Sequence, residues 1–198
     1  MNKILVLIIV LTLISCKNGN QISSVTIDKN QDPYQIYISL FKENPEFVAS
    51  NFDYPIGKSN AEGYYNAQKF RKNNHLGDDW NGIGGGNTDL GDPIYAIANG
   101  YVSFAKDIKG GWGNVIRVIH QYKGKYYESI YAHCDSIAVK KGDFVKKGAL
   151  IATIGTANGI YLAHLHLEIR NDIFMDIGGG YANDSSGYLD PTEFIKNN

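Results

Sequence analysis

The chain has 198 residues, of which 43% are hydrophobic and 20% charged, a composition that supports one folded domain with a short extension and excludes a disordered protein. Nineteen basic residues balance twenty acidic ones, so the chain has no basic excess to neutralise phosphates, and we expect no nucleic-acid partner. Its two cysteines, Cys16 and Cys134, are too few for a disulfide-stabilised scaffold.

The first fifteen residues have the features of a secretory signal peptide. Lys3 provides a positive start, and the uncharged, Leu/Ile/Val-rich run 4–14 is too short to cross a hydrocarbon layer of about 30 Å. Leu13-Ile14-Ser15-Cys16 resembles the bacterial lipobox, whose cysteine becomes the lipidated first residue of the mature protein. We therefore expect export and lipid anchoring to the cell envelope, on its periplasmic or outer face, through Cys16. An ordinary signal peptide with an incidental cysteine is the alternative.

Three segments follow the signal peptide. Residues 16–33 are mostly Asn, Gln, Ser, Lys and Asp, which predicts a flexible, lipid-anchored tether. Residues 34–50 are predicted to be a short N-terminal extension with one or two helical turns, interrupted at Pro45. From residue 51 to residue 198, short apolar runs separated by glycines indicate a single, mainly β domain.

Two hairpins are predicted within this domain. Runs 93–98 and 101–105 flank Asn99-Gly100, a pair that favours a two-residue type I′ turn. Runs 114–122 and 125–133 flank Lys123-Gly124 in the same way. Because strands follow one another so closely without helices between them, we expect an antiparallel sheet folded on itself.

Two patterns of histidine and aspartate have metal-ligand spacing. His164 and His166 are two residues apart in a predicted strand, so both imidazoles project from the same face. His75 and Asp79 are four apart in a stretch where Gly77 argues against a helix, so a turn has to bring them together. Two histidines and one carboxylate, with a free position for water, are the ligands of many catalytic zinc sites. Either pattern alone is more typical of surface or core residues.

A third element, Tyr131-Ala132-His133, lies at the end of a predicted strand, and the ordered set resembles the lysostaphin/LytM-type zinc endopeptidases. Their signature is His-x-x-x-Asp, then Tyr-Ala-His, then His-Leu-His-x-Glu. The similarity runs from about residue 51 to 195 and includes Gly91-Asp92-Pro93-Ile94-Tyr95-Ala96, Gly111-Trp112-Gly113-Asn114, Lys141-Gly142-Asp143-Phe144-Val145-Lys146-Lys147-Gly148 and Leu189-Asp190-Pro191.

The resemblance implies a fold, a metal centre and a reaction. The fold would be the family's antiparallel barrel-sandwich hybrid, over residues 51–198. One Zn²⁺ would be held by His75, Asp79 and His166, with His133 and His164 as catalytic imidazoles whose individual roles stay open. The reaction would be hydrolysis of peptide bonds in peptidoglycan cross-links or stem peptides during cell-wall remodelling, with stem peptides as partners and the membrane engaged through Cys16.

Two alternatives to this reaction are a non-catalytic LytM-like regulator that binds and activates a cell-wall amidase, and a zinc peptidase that acts on proteins. The presence of all three ligand positions and both accessory histidines favours the enzyme over the regulator. The bond that is cut and the oligomeric state are left open by the sequence.

Several neighbouring residues have simpler interpretations. Cys134 and His133 would project to opposite faces of a strand, so we expect Cys134 to be a small buried hydrophobe and not a nucleophile. His120 has no patterned partner and is expected to be structural or exposed. Glu168 shares the face of His164 and His166, where it would either orient a ligand or form a surface salt bridge.

Two long loops depart from the family pattern, at 80–92 and between Arg170 and Asp190, and we expect them to form the walls of a substrate groove. Four aromatic residues are candidates to line that groove, although each could equally belong to a β core: Trp80, Trp112, Tyr127 and Tyr161.

Overall fold

The computed structural model describes residues 32–198, which are mainly antiparallel strands. The predicted signal peptide, Cys16 and nearly all of the predicted tether lie outside these residues. Across the described part of the chain, no helix has the length and apolar character that a membrane span requires.

The strands and helices of this region have the following bounds. The strands are β1 (Tyr64–Gln68), β2 (Asp78–Gly82), β3 (Pro93–Tyr95), β4 (Gly100–Asp107), β5 (Asn114–Tyr122), β6 (Lys125–Cys134), β7 (Phe144–Val145), β8 (Leu150–Thr153), β9 (Leu165–Arg170) and β10 (Tyr188–Leu189). The helices are α1 (Gln35–Glu43) and α2 (Pro191–Asn197), and four short 3₁₀ turns lie between them.

The strands form one large and one small antiparallel sheet. The large sheet has the order β1-β2-β9-β6-β5-β4-β7, with β10 added alongside β9, and β3 pairs with β8 in the small sheet. Side chains of both sheets, such as Ile94 and Ile151 from the small sheet and Val118 and Leu165 from the large one, share one buried core. The predicted mainly β, antiparallel fold is therefore confirmed.

The second predicted hairpin is confirmed, and the first is wrong. Tyr122 pairs with Lys125, and Lys123 and Gly124 have the positive φ angles, 48° and 73°, that a type I′ turn requires. In contrast, β3 pairs with β8 and β4 pairs with β5 and β7, so the chain crosses from one sheet to the other at Asn99-Gly100.

The reason for the crossing lies in what Asn99 and Gly100 contact. The side-chain Nδ2 of Asn99 donates to the backbone carbonyls of Glu46 and Val48, and its Oδ1 accepts from the backbone N–H of Lys147. A Cβ at Gly100 would lie only 2.6 Å from the Ile119 carbonyl oxygen, so glycine is needed there for close packing and not for a turn.

The N-terminal extension is helical on both sides of its proline. Helix α1 ends before Asn44, and Pro45 begins a 3₁₀ turn, Pro45–Phe47. Phe41 is buried, and its ring packs 6.1 Å from the ring of Phe144, which ties α1 to the sheet.

Two of the secondary candidates are core residues. Cys134 is 2% exposed, and burial raises the pKa of its thiol to about 12, so the prediction of a small buried hydrophobe is confirmed. His120 is fully buried, with ring nitrogens 2.8 Å from the Asn99 carbonyl and the Ser129 hydroxyl. Burial lowers the pKa of His120 to about 4, so it is a neutral structural residue.

Candidate metal centre

The three predicted ligands meet at one point. His166 Nδ1 lies 2.8 Å from Asp79 Oδ1 and 3.0 Å from His75 Nε2, and His75 Nε2 lies 3.3 Å from Asp79 Oδ1. These three residues are the one group of potential metal ligands found within residues 32–198. One ion could therefore contact all three atoms.

Two of the three side chains are brought together by strand pairing. Asp79 in β2 is directly opposite His166 in β9, so both side chains project from the same face of the large sheet. Strand β9 pairs on its other side with β6, where Ala132 is opposite His166. The small Ala132 side chain leaves the space above this face to the ligands.

His75 reaches the site from outside the sheet, at the end of a 3₁₀ turn. The preceding turn holds Arg71, Asn73 and Asn74 at positive φ (66°, 55° and 63°), a conformation that costs roughly 1–2 kcal/mol per L-residue, and least for asparagine. Residues 176–182, which we call the strap, pair with this turn from the far end of the sequence. The Leu76 amide donates to the Gly180 carbonyl, and the Ala182 amide donates to the Asn74 carbonyl.

Glu168 determines which nitrogen of His166 is available to an ion. Its Oε1 lies 3.2 Å from His166 Nε2, and because a carboxylate can only accept, Nε2 carries a hydrogen and Nδ1 is the nitrogen left to face Asp79 and His75. Glu168 is fully buried between His166 and Arg170, with a 2.6 Å ion pair to Arg170. The surface salt bridge considered for Glu168 is therefore wrong, and its contact is with a candidate ligand.

The site favours a positive charge. Burial by itself would raise the pKa of Asp79, but hydrogen bonds to His166 and His75 outweigh it and hold the pKa well below its usual range. Burial by itself would lower the pKa of His166, but hydrogen bonds to Asp79 and Glu168 outweigh it and raise the pKa to about 9. Two imidazole nitrogens and a carboxylate oxygen are also the donor set that zinc prefers, so the residues fit a zinc ion.

The two accessory histidines stand beside this cluster. The ring of His133 is 4.6 Å from that of His164 and 5.5 Å from that of His166, centroid to centroid. His164 immediately precedes β9, where it forms a bridge with Gly155. Its Nδ1 lies 2.8 Å from the Leu162 carbonyl oxygen, which can only accept, so Nδ1 carries the hydrogen and Nε2 is the free lone pair.

An irregularity in β6 turns His133 towards the site. The pairing of β5 with β6 shifts register between Asn114 and Ile116, and His133 has a φ of 62° at that point. Tyr131 and Cys134 both face the main core, whereas Ala132 faces the other side of the sheet. Strict alternation would have placed His133 with Tyr131, and the bulge instead places it against Trp112, with rings 6.5 Å apart.

A cavity of about 540 Å³ surrounds the cluster. Two of the four predicted groove aromatics line it, Trp112 and Tyr161. Trp80 does not, because it follows Asp79 in β2 and faces the core, where its ring lies 5.4 Å from that of Tyr54. Tyr127 also packs at the core, 4.9 Å from Phe194. The expectation that Trp80 and Tyr127 line the groove is therefore wrong.

The sequence interpretation missed three residues of the site. Gln68 and Tyr181 line the cavity, and the Tyr181 ring lies 5.0 Å from that of His75. Arg170 is fully buried beside Glu168. Alternation along β9 from His166 through Glu168 would have identified Arg170, whereas nothing local in the sequence indicates that Tyr181 meets His75.

Comparisons with known proteins agree on one family. The sequence model of peptidase family M23 matches residues 79–180, a range that includes Asp79, His133, His164 and His166 and begins four residues after His75. Lipoprotein NlpD of Yersinia enterocolitica is 42% identical over 80 residues, which are 40% of this chain and 78% of that protein. Murein hydrolase activator NlpD of Escherichia coli (strain K12) is 40% identical over 80 residues, 40% of this chain but 20% of the relative.

A solved structure is similar over a longer stretch. The antimicrobial peptidase lysostaphin from Staphylococcus simulans superposes with a TM-score of 0.52 and 25% identity, over 68% of this chain and 50% of that chain. The chain therefore spans half of lysostaphin and a fifth of the Escherichia coli relative, and the similarity concerns the β domain that carries the candidate metal centre.

Proposed function

Because the chain belongs to peptidase family M23, we propose that it is a zinc-dependent endopeptidase that hydrolyses peptide bonds in peptidoglycan cross-links or stem peptides. We further propose that it is anchored in the cell envelope by a lipid on Cys16, in line with the lipoprotein name of its Yersinia relative. The observation that carries the proposal is the convergence of His75 Nε2, Asp79 Oδ1 and His166 Nδ1 within a cavity that His133 and His164 also line.

His75, Asp79 and His166 would hold the zinc, and three protein ligands are the usual number at a catalytic zinc. When bound, zinc supplies Lewis acidity that polarises a carbonyl group and makes water acidic near neutral pH. Glu168 keeps the Nδ1 lone pair of His166 directed at the site, and such supporting contacts typically carry a tenfold to hundredfold effect on metal affinity.

His164 is the proposed general base. Its Nδ1–H is held by the Leu162 carbonyl, so its Nε2 lone pair faces the site, 4.0 Å from Asp79 Oδ1. In this role Nε2 takes a proton from the attacking water and later returns it to the leaving amine.

His133 is the proposed hydrogen-bond donor to the carbonyl oxygen. Burial, together with the charges of His166 and His164, lowers the pKa of His133 to about 3, so its ring is neutral at physiological pH. A neutral imidazole carries one N–H, which can stabilise negative charge developing on the substrate oxygen without competing for the proton of the water.

The lining of the cavity fits a peptide backbone. Trp112, Tyr161 and Tyr181 provide aromatic surface, and Gly111, Gly179 and Gly180 leave the backbone of the walls uncovered. Among the described residues, the cavity lining contains no lysine or arginine. This chemistry suits uncharged amide groups packed between aromatic rings.

The test combines metal analysis with digestion of purified peptidoglycan. The full-length chain, purified in detergent, is stripped with a chelator, reloaded with zinc and incubated with peptidoglycan, and the released fragments are identified by mass spectrometry. We expect stripping to abolish cleavage and zinc to restore it. His164→Ala should bind zinc but lose turnover, whereas Asp79→Ala should lose both. Cleavage that survives complete removal of metal would overturn the proposal.

A second function, activation of a cell-wall amidase, is favoured by one observation. The matched Escherichia coli relative is named a murein hydrolase activator. An amidase assay beside the peptidoglycan digest separates the two functions: a wild type that stimulates an amidase but cleaves no peptide bond would have the regulatory function. Stimulation that persists in His164→Ala would show that it does not need the proposed general base. Digestion of a glycine-rich protein beside peptidoglycan tests the remaining alternative, a peptidase for proteins.

A further inference from the structure

Arg170 is a fully buried cation whose side-chain hydrogen bonds divide into two groups; it also lies 4.0 Å from Glu128 and 4.7 Å from the centre of the Tyr188 ring. Its Nε and Nη2 donate to Glu168 Oε2 at 3.0 Å and 2.6 Å. Its Nη1 donates to the Asp176 carbonyl at 2.9 Å, and its Nη2 donates to the Ile177 carbonyl at 2.7 Å. One planar guanidinium therefore joins a carboxylate of β9 to the first two residues of the strap.

The first group of contacts leads to one candidate ligand. Glu168 is held by Arg170 through Oε2, which leaves Oε1 for His166 Nε2. The orientation of the His166 ring, and the direction of its Nδ1 lone pair, therefore depend on a carboxylate that Arg170 keeps in place.

The second group leads to the other histidine. After Ile177, the Gly178 carbonyl accepts from Trp112 Nε1, and the strap then pairs on both sides of His75 through the Leu76 and Ala182 amides. The turn before His75 holds three non-glycine residues at positive φ, and His75 lies outside the regular strands, so this pairing helps to hold the His75 backbone beside the site.

We propose that Arg170 is a positioning residue that organises both histidines of the candidate zinc site, His166 through Glu168 and His75 through the strap. This inference rests on the proposed zinc site. Lysine could keep the positive charge but not the fork of donors that reaches three acceptors at once, so Arg170→Lys separates geometry from charge.

The experiment compares Arg170→Lys with a matched control in the full-length chain. Arg117→Lys removes an equivalent fork on the same sheet, since Arg117 donates to both oxygens of Glu128 and to the Met175 carbonyl but touches neither Glu168 nor the strap. Zinc affinity is measured by competition with a chromophoric chelator. Hydrogen exchange, followed in metal-free protein, reports on the Leu76 and Ala182 amides.

We expect Arg170→Lys to bind zinc tenfold to a hundredfold more weakly than the wild type, while Arg117→Lys stays within threefold. We also expect the Leu76 and Ala182 amides to exchange at least tenfold faster in Arg170→Lys than in Arg117→Lys. Equal zinc affinities in the two variants, or unchanged exchange of these amides, would overturn the inference.

Two further measurements keep the outcomes distinct. If Arg170→Lys does not fold, Glu168→Gln is tested in its place. This variant should bind zinc more weakly than the wild type but keep slow exchange at the Leu76 and Ala182 amides. Wild-type zinc affinity in Glu168→Gln would refute the proposal that His166 is positioned through Glu168. If the wild type itself binds no zinc, the proposed function fails together with the inference, whereas zinc binding that is indifferent to Arg170 refutes the inference alone.

Discussion

The pairing of His166 with Asp79 predicts that zinc and a proton compete for the same nitrogen. Burial alone would lower the pKa of His166, but the hydrogen bonds to Asp79 and Glu168 raise it to about 9, so His166 is protonated at neutral pH in the metal-free protein. That proton has to leave before Nδ1 can bind an ion. Apparent zinc affinity should therefore rise about tenfold per pH unit, or roughly a hundredfold between pH 6.5 and 8.5.

The same proton stabilises the metal-free fold. A histidine whose pKa is raised in the folded state contributes stability that is fully present below its ordinary pKa of 6.5 and is lost as the pH rises through about 9. At about 1.4 kcal/mol per pH unit, the difference corresponds to roughly 3 kcal/mol of unfolding free energy. His120 and His133 have lowered pKa values, of about 4 and about 3, so they change stability only below about pH 6.5.

Two assays measure these effects. Chelator competition at pH 6.5, 7.5 and 8.5 gives the slope of zinc affinity, and urea denaturation with EDTA from pH 6.5 to 9.5 gives the stability of the metal-free protein. Asp79→Asn removes the negative charge that His166 faces, so the loss of stability over this pH range should shrink. Zinc affinity that does not change with pH, or an equal loss of stability in Asp79→Asn, would refute the reasoning.

Three further predictions concern single side chains near the cavity. Cys134→Ala should cost about 1 kcal/mol of unfolding free energy in urea denaturation and leave turnover unchanged, because the thiol is a buried packing group; loss of turnover would instead support a nucleophilic cysteine. In Gly111→Ala the added Cβ would lie 2.5 Å from the Tyr161 hydroxyl, so the Tyr161 side chain has to move. We expect a raised KM with little change in Tm. An unaltered KM would show that substrate does not occupy the part of the cavity between Gly111 and Tyr161. Trp112→Ala removes the ring beside His133 and His166 and the hydrogen bond to Gly178, so kcat/KM should fall at least tenfold in a folded protein, and full activity would exclude Trp112 from the groove.

Local patterns in the sequence were sufficient for several elements of the domain. Lys123 and Gly124 form the two-residue turn between β5 and β6, as the sequence predicts. Such a turn is predictable because its backbone twist depends on the two residues within it. The two-residue period of a strand likewise places Glu168 on the same face as His166. Resemblance to a known family added the pairing of these residues with His75 and Asp79, which no local pattern joins.

Local patterns failed where long-range contacts compete with them. Asn99-Gly100 has the composition of a hairpin turn, but the Asn99 side chain binds the N-terminal extension and residue 147, and Gly100 allows close packing against Ile119. Its position at the start of the 80–92 loop suggests a place in the groove for Trp80, but Trp80 belongs to β2, where its neighbour Asp79 occupies the face towards the site.

The sequence determined the antiparallel β architecture and the hairpin of β5 and β6, because strand period and turn chemistry are properties of neighbouring residues. The five residues around the candidate metal centre came from the sequence only through its resemblance to a known family. Tertiary structure alone decided that a bulge turns His133 away from the core, that the strap pairs with the segment of His75, and that Arg170 joins the strap to Glu168. The strap pairs with a segment about a hundred positions away, and the bulge depends on one irregular backbone angle at His133. The Arg170 contacts require the chain after β9 to fold back over its guanidinium, so only the folded chain determines all three.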